Sequence, residues 1–161
     1  MVQQRLDGYQ YDGFSQPLTV VDDYGPLDGT THAHHVACVD GHEYIVKRSD
    51  WASDNPHDEA NEYIAAQLAR VLGLPVLNWE VVSMDGRLCF AARWLARDVT
   101  REVTAAILGQ CDNVLMLYRM VVFDAWVLNS DRHARNLLAR RIRMDGRRLN
   151  RHNLYLIDHS E

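Results

Sequence analysis

Five side chains between Lys47 and Asp158 have the types needed for one reaction. Lys47 ends a short β-type run, Glu43 to Lys47, and Glu62 falls on the helix expected next. Asp131 and Asn136 form an Asp-x-x-x-x-Asn spacing in the polar stretch that follows a long apolar run. Asp158 closes a later β-type run, Leu154 to Asp158. Phosphoryl transfer from ATP calls for such a set, because it needs positioning and charge neutralisation more than covalent chemistry. A lysine holds nucleotide phosphates, and a glutamate orients the lysine. An aspartate accepts the proton of the attacking hydroxyl. An Asn and a second Asp offer the hard oxygens that Mg²⁺ takes together with phosphate oxygens. Of the 17 basic residues 16 are arginine, so Lys47 is the only lysine. Arginine is a poor substitute where a compact point charge must reach a phosphate.

The elements that must position these groups are partly legible. Leu18 to Val21 is a β-type run, followed by loop-forming residues through Gly25, Pro26, Asp28 and Gly29. His34–Val39 and Glu43–Lys47 flank Asp40-Gly41, and Val76–Ser83 and Arg87–Trp94 flank Met84-Asp85-Gly86. Asp-Gly between such runs predicts a β-hairpin in each case. A helix is expected from about Pro56 to Leu72, with Gly73 as its C-terminal stop. Its apolar stripe is Ala60, Ile64, Leu68, Val71 and Leu72, and the opposite side carries Glu62, Ala65, Ala66 and Ala69. A helix clad on both sides is expected to lie between two packed bodies, with Glu62 needing a cationic partner there. Residues 95–112 are mixed and partly helical. Val114–Leu128 is almost wholly apolar and reads as a buried helix, with Asp112 as a candidate cap and Asp124 as an unusual acid expected to bond to nearby loop backbone. Asn136–Ile142 and Leu154–Asp158 read as an antiparallel pair, which would put Asn136 and Asp158 at the same open end.

The chain has 161 residues, 47% hydrophobic and 24% charged, the size and composition of one globular domain. No run approaches the roughly 20 apolar residues needed to span a bilayer, and the N-terminus lacks a signal-peptide core, so a cytoplasmic protein is expected. Cys38, Cys89 and Cys111 are widely spaced and read as buried small hydrophobes. The net charge of −5 argues against nucleic acid as a partner. Residues 132–151 hold eight arginines against one acid, but they lack the interleaved aromatics used for base stacking and read as a solvated hairpin. His32, His34 and His35 leave open a zinc site, which no Cys or Glu at suitable spacing supports.

Asn129-Ser130-Asp131-Arg132-His133-Ala134-Arg135-Asn136, with Leu156-Ile157-Asp158-His159 downstream, resembles the catalytic signature of HipA-like kinases, protein-kinase-like phosphotransferases related to phosphatidylinositol kinases. Gly29-Thr30-Thr31, the run Cys38 to Lys47, Asn61-Glu62 and Leu72-Gly73-Leu74-Pro75-Val76 are similar to that family's nucleotide loop, lysine strand, next helix and following turn. The resemblance implies an α+β, protein-kinase-like fold. A β-rich N-lobe with one long helix would span 1–95, and a shortened helical C-lobe carrying the catalytic-loop hairpin would span 96–161. It implies ATP and Mg²⁺ as cofactors, Lys47 on the phosphates with Glu62 as its partner, Asp131 as catalytic base, and Asn136 and Asp158 as metal ligands. Gly29, Thr30 and Thr31 would cover the phosphates, and Trp94 and Leu95 would lie near the adenine. The expected reaction is transfer to a protein serine or threonine. The family pattern continues well past this point, whereas the sequence stops three residues after Asp158. A partner chain over the shortened lobe is therefore expected besides a protein substrate. The alternative is a non-catalytic module that binds nucleotide or a partner.

Overall fold

A computed structural model describes residues 16–27, 33–48, 57–96, 100–101, 103–130, 132–144 and 147–158. The architecture is mixed α+β and rich in strands. Five strands, β1 (Leu18–Pro26), β2 (His34–Cys38), β3 (Glu43–Lys47), β4 (Trp79–Met84) and β5 (Arg87–Arg93), close into a barrel in the order β1-β2-β3-β5-β4. All neighbours are antiparallel except β1 and β4, which close the barrel in parallel through Leu18–Val82 and Thr19–Ser83. Val36, Cys38, Tyr44, Val46, Val82 and Met84 fill the interior.

Both expected Asp-Gly hairpins form. In the second, Asp85 and Gly86 both have positive φ (52° and 75°), the geometry of the tight hairpin turn that suits strand twist. In the first, Asp40 caps the His42 N–H (3.0 Å) and accepts the Tyr44 hydroxyl (2.7 Å). β1 is longer than the sequence predicts: Gly25 and Pro26, read as loop, pair with His35 and His34. β4 pairs with β1 only at Leu18 and Thr19, so among the described residues Pro26 has no strand on its other side, where its missing N–H is tolerated.

Helix α1 (Asp58–Val71) follows, close to its expected limits. Gly73, at φ 70°, ends it: its N–H bonds to the Arg70 carbonyl (3.0 Å), and the Leu74 N–H bonds to the Ala69 carbonyl (2.9 Å). That pair of bonds satisfies carbonyls the helix leaves open, and Leu74 is buried against the same core as Ala69. The small-residue side of α1 is buried as expected, but of the apolar stripe only Leu68 packs against a core. Ala65, Ala66, Ala69 and Glu62 are the buried side, whereas Ile64 (55% exposed) and Val71 (81%) face outward. Ala66 meets Trp79 and Phe90 on the outside of the barrel, while Ala65 and Ala69 meet the second core. The helix does lie between two bodies, but its small residues meet both. Small side chains permit the close approach that branched ones would block.

The second core is built on a three-stranded sheet in the order β6 (Thr100–Arg101), β7 (Leu137–Met144), β8 (Arg147–Leu156). A short helix α2 (Ala105–Leu108), capped by the Thr104 hydroxyl, and α3 (Met116–Val127) contribute to it. Asp112 does not cap α3; it pairs with Arg151, and the neighbouring Asn113 side chain exchanges two hydrogen bonds with the Leu154 backbone (2.9 and 2.7 Å). Of α3, Met120, Phe123 and Asp124 are buried, while Tyr118, Val121, Val122 and Trp126 are exposed. The expected burial therefore holds for one side of the helix only. β8 begins seven residues earlier than predicted and ends at Leu156, so Asp158 lies beyond the strand. Among the described residues no helix is long and apolar enough to cross a membrane.

Candidate active site

The period-2 alternation of β3 puts Tyr44 and Val46 inside the barrel and Ile45 and Lys47 on its outer face. α1 crosses that face and presents Glu62, 3% exposed, one turn before Ala66. From the other body the chain leaves β8 and turns at Asp158, whose φ of 57° is left-handed. The Lys47 ammonium donates to Glu62 Oε1 at 3.2 Å and to Asp158 Oδ1 at 2.5 Å. Two bodies distant in sequence thus meet on one cation.

Burial pulls the Lys47 ammonium down, but the charges of Glu62 and Asp158 and their hydrogen bonds outweigh it and hold the group above its ordinary value. At Asp158 burial pushes the carboxyl up. The Lys47 charge and hydrogen bond, together with the Arg132 charge, overcome that and hold it below its ordinary value. Both groups therefore stay charged, and the site keeps a fixed cation and a fixed anion side by side.

Beside this ion pair opens a cavity of about 350 Å³. Lys47, Glu62 and Asp158 line one part of it, and Ile45, Trp79, Phe90, Trp94, Leu95 and Leu156 are among the apolar residues lining the rest. Trp94 is fixed twice: its backbone N–H donates to the Glu43 carbonyl (2.8 Å), and its ring packs against His35 in a tilted arrangement at 4.6 Å. His35 also contacts Tyr24 (4.8 Å) and bonds to Glu43 (2.9 Å), while His34 bonds to Asp23 (2.8 Å). The two histidines thus engage different acids, and His32 lies outside the described residues.

The loop before β7 is tied down by side chains that the sequence did not flag for this role. Arg132 Nε and Nη2 donate to the two Asp124 carboxylate oxygens (3.0 and 2.9 Å). Its Nη1 donates to the Asn136 and Ile157 carbonyls (3.1 and 2.6 Å). Asn129 Nδ2 reaches Asp124 Oδ1 and the Asp158 carbonyl, both at 3.4 Å. Asp124 was expected to bond to loop backbone; its carboxylate instead grips a guanidinium. An acid inside an apolar helix was the available signal, but the partner eight residues on becomes visible only once the chain has turned back at Leu128, a left-handed residue (φ 58°).

Of the residues singled out from sequence, Lys47, Glu62, Asp158, Trp94 and Leu95 line one cavity. Asn136 is buried at the end of a short 3-10 turn, Ala134–Asn136, with its carbonyl accepting the Ile157 N–H (3.1 Å). Asn136 and Asp158 are thus at the same open end of the β7–β8 hairpin, as predicted. Gly29, Thr30, Thr31 and Asp131 lie outside the described residues. Among the described residues no group of three His, Cys, Asp or Glu could hold a metal. Asp158 lines the cavity and Asn136 is not among its lining residues.

Fold and cleft together define an α+β domain with a largely apolar cavity that ends on the Lys47, Glu62 and Asp158 cluster. The chain belongs to the HipA-like kinase family, whose family model matches residues 26–161. No curated protein and no solved structure was found to match it.

Proposed function

We propose that the protein is an ATP- and Mg²⁺-dependent phosphotransferase that moves the γ-phosphoryl group to a hydroxyl, with a protein serine or threonine as acceptor. The observation that carries this reading is the Lys47 ammonium held between Glu62 and Asp158 beside an apolar cavity. In this reading residues 1–95 and 96–161 act as the two lobes of a protein-kinase-like fold, and the nucleotide enters between them. Adenine occupies the apolar part of the cavity against Trp94 and Leu95, and the phosphates reach Lys47. Glu62 keeps the ammonium aimed at them. Gly29, Thr30 and Thr31, which connect β1 to β2, cover the phosphates through backbone N–H groups. Asp131 accepts the proton of the attacking hydroxyl, which sharpens the nucleophile for in-line displacement. Mg²⁺, when bound by Asn136 and Asp158, would neutralise phosphate charge. The cytoplasm, which supplies ATP and Mg²⁺, is the proposed location, and the exposed apolar side of α3 is where a partner chain would lie.

Incubation with radiolabelled ATP tests the reading. Label passing to a protein hydroxyl, lost in both Asp131→Ala and Asp158→Ala, supports it. Undiminished transfer in both variants overturns it. ATP binding with no ADP release contradicts the transfer step and favours a nucleotide-binding module.

A further inference from the structure

Asp124 and Arg132 are nearly buried, and neither faces the cavity. We infer that they form the positioning pair of this site: Asp124 orients the Arg132 guanidinium, which fixes the backbone of Asn136 and of the residue before Asp158. This inference rests on the phosphotransfer reading and assigns a role to two residues that do not touch the nucleotide.

The geometry supports each link. The carboxylate takes Nε and Nη2 as a fork, leaving Nη1 to point the other way, where it meets the Asn136 and Ile157 carbonyls. A planar guanidinium spreads its five donors over three nitrogens in a fixed arrangement, whereas an ammonium offers its three from a single atom and has no fork to match both carboxylate oxygens. Asn129 adds a second route, from the same carboxylate to the Asp158 carbonyl. The segment that carries Asp131 begins between these anchors, since Asn129 and Arg132 flank it. One acid on α3 thus reaches every segment that bears a proposed catalytic or metal-binding side chain of this body. An ion pair taken out of water gains little stability over apolar residues of similar volume. Its use here is to hold two oxygen donors from different segments at a fixed separation.

The test uses the full chain and measures ATP binding by calorimetry, with EDTA and across a Mg²⁺ series, for wild type, Asp124→Asn and Arg132→Lys. Both variants should bind ATP in EDTA as the wild type does. The Mg²⁺ concentration that gives half the tightening should rise roughly 10–100-fold, the usual cost of losing an outer partner of a metal ligand. The double variant should be no worse than the poorer single, because the two residues act as one unit. Matching Mg²⁺ dependence in wild type and both variants overturns the pairing while leaving the phosphotransfer reading intact. Equal weakening of ATP binding with and without Mg²⁺ marks a merely structural role and also overturns it. A wild type with no Mg²⁺-dependent ATP binding sinks both readings. If Asp124→Asn does not fold, Arg132→Lys carries the same measurement; failure of both to fold overturns the inference, since the pair then serves the fold.

Discussion

At Lys47 desolvation and charge pull in opposite directions, and charge prevails. The consequence is a pH window. Asp158 has a carboxyl held below its ordinary value of 3.8, so the stability it contributes is present above that value and is lost as pH falls through the lower folded one. Lys47 is held above its ordinary 10.5, so its contribution is present below that value and is lost as pH rises through the higher folded one. Urea unfolding of wild type and Asp158→Asn over a pH series should show a gap that is flat at neutral pH and closes in acid. A gap that widens below pH 3.8 would contradict the pairing. The types of Lys47, Glu62 and Asp158 were legible in the sequence because each sits at the end or on one side of a recognisable element. The partner of Asp124 was not, because a guanidinium that reaches back eight residues depends on the left-handed turn at Leu128.

Helix α1 shows where periodicity misleads. Its spacing was right and its limits nearly so, but Ile64 and Val71 point outward while Leu68 alone of the stripe packs inward. Hydrophobicity alone ranks Ile64 and Val71 above Ala65 and Ala69 for burial. Close approach to two bodies reverses the order, because no room remains for a branched side chain. Ala69→Leu should therefore cost about 1–3 kcal/mol by overpacking, whereas Val71→Gln should stay within about 0.5 kcal/mol; thermal or urea unfolding reads both. Equal effects would mean that the helix is turned the other way. The Asp-Gly hairpins were legible because their turn chemistry is local. The extension of β1 through Pro26 was not, since it depends on β4 pairing with β1 only at Leu18 and Thr19.

At the scale of the molecule, the mixed α+β class could be read from the alternating run types, but the closed barrel could not. The β1–β4 pairing joins residues far apart in sequence and leaves no local mark. The nearly continuous apolar run of α3 likewise did not say which side would stay exposed. Tyr118, Val121, Val122 and Trp126 make one outward apolar surface. Val122→Lys with Trp126→Lys should leave the melting temperature close to that of the wild type and reduce binding of a hydrophobic dye. A large loss of stability would show that this side is buried. The account as a whole rests on Lys47 as the phosphate-binding cation, and calorimetric titration of MgATP into wild type and Lys47→Met tests it most directly. Saturable binding in the wild type, weakened roughly tenfold or more in the variant by loss of a charge-assisted hydrogen bond, is the predicted result. Absence of binding in the wild type, or equal affinity in Lys47→Met, would contradict it.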